Sequence, residues 1–418
     1  MKKEISVLSE REYWYWYCGL SQIPLSVREQ LLQRLGTPEE IFYASEKALR
    51  DALRPARQPD GQTELMGDTD DADVFYNGKI LERAVRDIRE GREPDTIRRA
   101  LKDMDQEGIA FVPLCDENYP KRLLTIPGRP LGLFIKGRLP SDDMPSAAIV
   151  GSRNCSYYGR SMAEGLGKAL AEAGIQVISG LARGIDAAGH RGALRAENRK
   201  GRTFGILGCG PDVVYPRENR CLYGEVEAAG GLISEYPPGM RPLPMNFPAR
   251  NRIISGLSDC VAIVEAGKRS GSLITASYAL EQGKEIWAVP GRAGDYLSCG
   301  TNSLLKDGAE LLTEPEDILS FWNLGGKKLR ISNNDQLSLD KNWERVYSCL
   351  DSEPKSMERI CLETGLNSAD LAVCLVDLEM EGLVVQPYEH YYVAKRDKGE
   401  HYGKVSGHCR VPRKSEDN

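Results

Sequence analysis

Ala147-Ala-Ile-Val-Gly-Ser-Arg-Asn-Cys-Ser-Tyr-Tyr-Gly-Arg-Ser-Met-Ala-Glu-Gly-Leu-Gly-Lys-Ala-Leu-Ala-Glu-Ala-Gly-Ile-Gln-Val-Ile-Ser179 holds a strand, a helix and a second strand in one run. Residues 147–150 are a short apolar stretch broken by Gly151-Ser-Arg153. Residues 158–173 place Met162, Leu166 and Leu170 on one helical stripe, with Gly174 as terminator, and 175–179 are apolar again. Further strands of this kind are expected at 203–207, 231–234, 260–264 and 286–289, with amphipathic helices between several of them. Strands alternating with helices predict a mainly parallel α/β sheet covered on both faces.

Ligands of such sheets gather at the carboxyl ends of the strands, so the residues that follow each strand matter most. Gly151-Ser-Arg153 follows the first, Gly180-Leu-Ala-Arg-Gly-Ile-Asp186 the second and Gly208-Cys-Gly-Pro-Asp-Val-Val-Tyr-Pro-Arg217 the third. Glu235, Glu265 and Pro290-Gly291 follow the others. Glycines allow close backbone approach, and the interspersed arginines supply charge. Just before the fifth strand, Phe247-Pro-Ala-Arg-Asn-Arg-Ile253 sets two arginines around an asparagine with no acid inside the run. Guanidinium forks match phosphate oxygens, so Arg250 and Arg252 are expected to be exposed anion ligands. The competing reading pairs them with surface carboxylates. Ser270-Gly-Ser-Leu-Ile-Thr275 opens a helix with backbone N–H groups free for an anion, or capped by its own serines. No G-x-G-x-x-G fingerprint occurs, which argues against an NAD site.

Hydrophobic residues make up 41% and charged residues 28% of the 418, the balance of a folded chain with two or three domains. No apolar run approaches the roughly 18 residues of a membrane span, and the amino terminus lacks a secretion signal, so a cytoplasmic, non-membrane protein is expected. The eleven cysteines are scattered with no Cys-x-x-Cys, and three of four histidines (His390, His401, His408) lie near the carboxyl end. No metal, cofactor or disulfide framework is therefore expected. Net charge is −6, yet residues 145–300 hold 18 Lys and Arg against 14 Asp and Glu. A local basic patch suffices for phosphates, because screening confines each charge to about 8 Å at physiological salt.

Residues 10–110 look helical, at 13–20, 25–35, 38–44 and 79–103, with an acidic insert at 57–73. The aromatic run Tyr13-Trp-Tyr-Trp-Tyr17 could stack bases, but core packing is the preferred reading. Residues 340–394 read as a winged helix-turn-helix. Its stripes are Trp343, Val346, Leu350; Met357, Ile360, Cys361; and Leu371, Cys374, Leu375, Leu378, with a wing at 383–385 and 391–393. Its third helix carries Asp370, Asp377, Glu379 and Glu381 and no Lys or Arg, which favours protein contact over DNA reading. The tail from Lys395 is polar and expected to be disordered.

Taken together, Gly151-Ser-Arg153, Ser179-Gly-Leu-Ala-Arg-Gly-Ile-Asp186, the Tyr215-Pro216 segment, Phe247-Pro-x-Arg-Asn-Arg-Ile253 and Ser270-Gly-Ser-x-x-Thr275 strongly resemble the DprA/Smf family over residues 110–315. The resemblance implies an α/β fold with an extended Rossmann-like domain (111–320), a helical, SAM-like amino-terminal domain (1–110) and a small carboxyl-terminal winged helix (340–394). It implies a non-enzymatic recombination mediator that binds single-stranded DNA, loads the RecA recombinase in DNA processing and natural transformation, and works as a homodimer. Carried over, its DNA pocket comprises Gly151, Ser152, Arg153, Ser179, Gly180, Arg183, Tyr215, Pro216, Arg217, Arg250, Asn251, Arg252, Ser270, Gly271 and Ser272. Gly189 departs from the family's alanine, and the family's Gly-x-Gly hairpin turn is absent from residues 21–35. The sheet is also similar to the cytokinin-activating phosphoribohydrolases, in which case Glu235 and Glu265 would be catalytic carboxylates; their Pro-Gly-Gly-x-Gly-Thr run is missing. Asp186 and His190, at i and i+4, form a conceivable acid-base pair, but bracing the arginine loop is the preferred role.

Overall fold

The computed structural model describes residues 8–54, 78–197, 201–324, 341–351 and 353–395. The expected acidic insert and the carboxyl-terminal tail lie outside these residues. By contacts the chain divides into two units, Met1–Gly325 and Gly326–Asn418.

The first unit begins with helices α1 (Glu10–Gly19), α2 (Leu25–Leu35), α3 (Pro38–Tyr43) and α4 (Glu46–Leu53), then α5 (Gly78–Glu90) and α6 (Pro94–Gln106). Local chemistry starts them. Ser9 with Glu12 and Thr37 with Glu40 close capping boxes on α1 and α3. The helix expected across 79–103 is two, because Gly91 leaves the helix and Pro94 can only open the next. Tyr13, Trp14, Trp16 and Tyr17 are all buried, so the aromatic run is core. They share that core with Phe111 and Phe134 of β1 (Ile109–Pro113) and β2 (Gly132–Gly137).

The chain then runs through β3 (Ser146–Val150), α7 (Tyr157–Glu172), β4 (Gln176–Ser179), α8 (Ile185–Leu194), β5 (Thr203–Leu207), α9 (Arg220–Ala229) and β6 (Gly231–Ser234). It continues with α10 (Asn246–Gly256), β7 (Cys260–Ile263), α11 (Gly271–Glu281), β8 (Glu285–Ala288), α12 (Cys299–Lys306), β9 (Glu310–Leu311) and α13 (Pro315–Leu319). The nine strands form one sheet in the order β1-β2-β6-β5-β4-β3-β7-β8-β9. From β6 to β9 every pairing is parallel, whereas β1 and β2 add an antiparallel edge that the sequence reading missed. The strand order reverses between β3 and β7, which makes this the extended Rossmann-like arrangement expected.

Alternate residues sort the core into two layers. Ala148, Val150, Val261 and Ile263 face Ile253, Leu257, Ala276 and Ala279 of the α10–α11 side. Ala147, Ile149, Val177 and Ala262 face Leu166, Leu170 and Ala188 of α7 and α8. The period of two along each strand is what lets one sheet bury both faces.

The second unit contains α14 (Lys341–Cys349), β10 (Lys355–Ser356), α15 (Met357–Thr364), α16 (Ser368–Met380), β11 (Val384–Tyr388) and β12 (Tyr391–Ala394). Its strands pair antiparallel in the order β10-β12-β11. Val346, Leu350, Ile360, Leu371, Leu375 and Leu378 form its core, as the stripes predicted for a winged helix. Among the described residues no helix is long and apolar enough to cross a membrane.

Candidate functional site

The carboxyl ends of β3, β4 and β5 enclose a cavity of about 230 Å³ lined by Arg153, Asn154, Gly180, Ala182, Arg183, Tyr215, Pro216, Phe247 and Arg250. Three exit loops and the start of α10 meet here, because the parallel sheet sends each strand's exit loop to the same edge. Gly208, at the end of β5, leaves room for the Phe247 ring, since a Cβ there would lie 3.0 Å from the ring. The Tyr215 and Phe247 rings sit 5.2 Å apart with planes at 38°, and Tyr215 is 42% exposed. The Arg153 guanidinium lies 5.7 Å over the Phe247 ring. Arg183 pairs with Glu218 at 2.7 Å on the open surface, where such a pair contributes little and exchanges easily for another anion. The cavity thus offers two cations and a two-ring platform.

Arg250 and Arg252 are not the exposed anion ligands expected from their spacing. Arg250 is 3% exposed and donates from Nη1 to the carbonyl oxygens of Gly180, at 2.9 Å, and Ile206. Gly180 must be glycine for this, since a Cβ would fall 2.6 Å from that guanidinium. Arg250 therefore forms the floor of the cavity. Its burial works against its charge and Asp186 supports it. Asp186 in turn accepts the Gly180 N–H at 3.1 Å; burial pushes its pKa up, and Arg250 is the first influence opposing that rise. His190 is fully buried with Nδ1 against the Thr203 hydroxyl at 2.7 Å, and burial, then Arg250, pushes its pKa down to about 3. These groups brace the loop after β4 and are not poised for proton transfer with a substrate.

Arg252 is also buried, and its guanidinium makes a two-pronged pair with Glu235 at 2.8 and 2.6 Å while Nε donates to the Gly128 carbonyl at 2.6 Å. Both oxygens of Glu235 are thereby occupied. Glu265 accepts the Ser156 N–H at 2.9 Å on one oxygen and the Ser156 hydroxyl on the other. Neither carboxylate is free in the way a glycosidase mechanism requires.

The remaining expected residues divide. Ser179 is fully buried and donates to the Ile149 carbonyl at 2.6 Å. Gly151 and Ser152 form the turn after β3, where the Ser152 N–H bonds the Glu265 carbonyl at 2.8 Å. Asn251 donates to the Gly271 carbonyl at 3.2 Å, and Ser270 caps α11 through the Ser272 N–H at 3.4 Å. Ser270, Gly271 and Ser272 consequently lie at the start of α11 and do not line the cavity; Arg217 is exposed and also outside its lining. Sequence reasoning missed Asn154, Ala182 and Phe247 as lining residues. The signal for Phe247 was present, because an aromatic at the head of an arginine-rich run is a stacking surface next to charge.

Comparison with known proteins identifies the family. The family model for DNA recombination-mediator protein A matches residues 110–323, and that for the DprA winged helix domain matches 333–387. Protein Smf of Escherichia coli is 35% identical over 314 residues, spanning 73% of this chain and 83% of that protein. DNA processing protein DprA of Streptococcus pneumoniae is 42% identical over 207 residues, 50% of this chain and 72% of that protein. The X-ray structure of DprA from Streptococcus pneumoniae superposes with a TM-score of 0.58 at 31% identity, covering 74% of this chain and 97% of that one.

Proposed function

The chain belongs to the DprA/Smf family of DNA-processing recombination mediators, and from that premise we propose that the cavity at the ends of β3, β4 and β5 holds single-stranded DNA for a recombinase. The observation that carries this reading is the Arg153 guanidinium stacked over Phe247 beside the exposed Tyr215 ring. Cations take phosphates, and aromatic faces take bases whatever their sequence, which is the chemistry of single strands. Duplex DNA keeps its bases stacked inside and offers only the phosphate part of this contact. The carboxylates nearest the strand ends are tied up in internal bonds, so the site is suited to holding and presenting a strand, not cutting it. A presented strand needs a recipient, which the family resemblance gives as RecA, with a homodimer as the working form and the cytoplasm as the setting.

Titration of single-stranded and blunt duplex oligonucleotides over a salt series tests the binding step. Single strands are expected to bind more tightly, with each neutralised phosphate adding about 0.7 to the slope of log affinity against log salt. Equal or tighter duplex binding would sink the reading. For presentation, RecA-dependent ATP hydrolysis on strands coated with single-strand-binding protein is expected to accelerate with the wild type. It should not do so with an Arg153→Ala plus Tyr215→Ala variant. No acceleration by the wild type refutes the loading role.

A further inference from the structure

Beyond β7 and β8, on the other side of the sheet's reversal point from the cavity, lies a second patch with the same chemistry. Tyr296 is 70% exposed, more than any other tyrosine, phenylalanine or tryptophan among the described residues. Its ring rests against Gly267, where a Cβ would come within 2.8 Å of its Cζ. Gly267 opens a turn closed by the Ser270 N–H on the Gly267 carbonyl at 3.1 Å, and Lys268 and Arg269 are the two corner residues of that turn. Both are exposed and have no ion-pair partner among the described residues. Asp295 is the one acid in the loop preceding Tyr296.

The patch is fixed to the cavity by backbone hydrogen bonds. The Ala266 N–H bonds the Leu297 carbonyl at 2.8 Å, which ties the Tyr296 loop to the turn. The Ser152 N–H bonds the Glu265 carbonyl at 2.8 Å, which ties the turn to the loop carrying Arg153. A rigid link of this kind fixes the spacing between two binding surfaces.

We propose that Lys268, Arg269 and Tyr296 form a second subsite for the same single strand, with the two cations on its phosphates and the Tyr296 ring stacked on one of its bases. The inference rests on the reading of the cavity as a single-strand site. Between β4, at the centre of the cavity, and β7–β8 lie two to three inter-strand steps of about 4.8 Å, roughly 10–15 Å in all. At about 3.4 Å per stacked nucleotide, that is three to four nucleotides. A strand must therefore exceed about four nucleotides to occupy both places.

The test compares binding of oligothymidylates of about 4 and about 12 nucleotides, within the site sizes common for single-strand grooves. Full-length wild type, Arg153→Ala, Tyr296→Ala, Tyr296→Phe and Lys268→Gln plus Arg269→Gln are measured, with circular dichroism confirming the fold of each. Tyr296→Ala is expected to weaken binding of the longer strand about fivefold or more, the loss of one base stack, and to leave the shorter one unchanged. Tyr296→Phe keeps the ring and should match the wild type. The lysine-arginine variant should lower the salt slope for the longer strand by about 1.4, two phosphate contacts. Equal losses at both lengths, or no loss for the longer strand while Arg153→Ala still abolishes binding, overturn the second subsite alone. A wild type that binds neither length overturns the cavity's proposed function, and this inference with it.

Discussion

Replacing Arg250 with alanine should unfold the molecule more readily before it says anything about DNA. The guanidinium donates to two main-chain carbonyls, those of Gly180 and Ile206, and is the leading influence holding down the pKa of the buried Asp186. Removing one partner from a buried charge arrangement costs about 3–5 kcal/mol, far above the usual effect of an exposed residue. The cost should depend on pH in a definite sense. Asp186 already has a raised pKa in the folded state, and without Arg250 it rises further. Between the unfolded value of about 3.9 and that folded value, the folded state holds the proton more tightly, so stability falls as pH rises. The penalty for Arg250→Ala is therefore smaller near pH 5 than near pH 8, and adding Asp186→Asn should recover part of it at the higher pH. Urea unfolding followed by far-ultraviolet circular dichroism at both values measures this. A loss below about 1 kcal/mol at pH 8, together with abolished DNA binding, would mean that Arg250 serves the ligand directly and is not the floor of the cavity.

Two further outcomes follow from buried and charged groups elsewhere. His190 is held neutral, with a pKa pushed down to about 3 by burial and Arg250; it binds a proton only in the unfolded state below about pH 6.5, so stability should fall as pH drops from there, by up to about 1.4 kcal/mol per unit from this group. In proton NMR one of the four imidazoles should fail to titrate above about pH 4, and four ordinary titrations would refute its burial. A chain ending at Gly325 should keep single-strand affinity within about threefold, because α16 carries Asp370, Asp377 and Glu379 and no cation to meet phosphates. A loss of tenfold or more on the same titration would place DNA contacts on the winged helix.

The sheet was legible because its strands are short apolar runs ended by glycine, as at Val150-Gly151 and Leu207-Gly208, and because α7 shows a single stripe closed by Gly174. The antiparallel edge was not, since β1 alternates buried and exposed residues over only five positions, and its partner β2 lies beyond an irregular stretch. In the site, exposed members such as Arg153 and Tyr215 could be found from their place after a strand. The burial of Arg250 could not, because the carbonyls that receive it lie 70 and 44 residues earlier and meet it only once β4 and β5 are side by side. The same holds for Arg252, whose partner Glu235 follows a different strand. A run of cations without an intervening acid shows that charge must be answered, and only the tertiary fold shows whether the answer is a ligand or the protein itself.

Glu265 explains why the proposed ligand cavity opens on the β4–β5 side of β3 and not in the crevice between β3 and β7. In an open sheet of this kind the crevice between the two innermost strands, with the following helix start, is where a dinucleotide's pyrophosphate is held. Here those strands are β3 and β7, and their exit loops are joined by the Ser152–Glu265 main-chain bond. The Glu265 carboxylate then takes both the N–H and the hydroxyl of Ser156, the cap of α7. A phosphate arriving at that helix start would meet a negative charge already in place. The cavity's anion chemistry comes instead from the side chains of Arg153, on the loop after β3, and Arg183, on the loop after β4, and not from a helix dipole. Side-chain cations beside an exposed tyrosine suit a polymer lying along the surface, as proposed above, whereas a helix start deep in a crevice favours a small cofactor enclosed at both ends. On the function proposed above, one internal carboxylate thus turns a dinucleotide framework toward a passing strand.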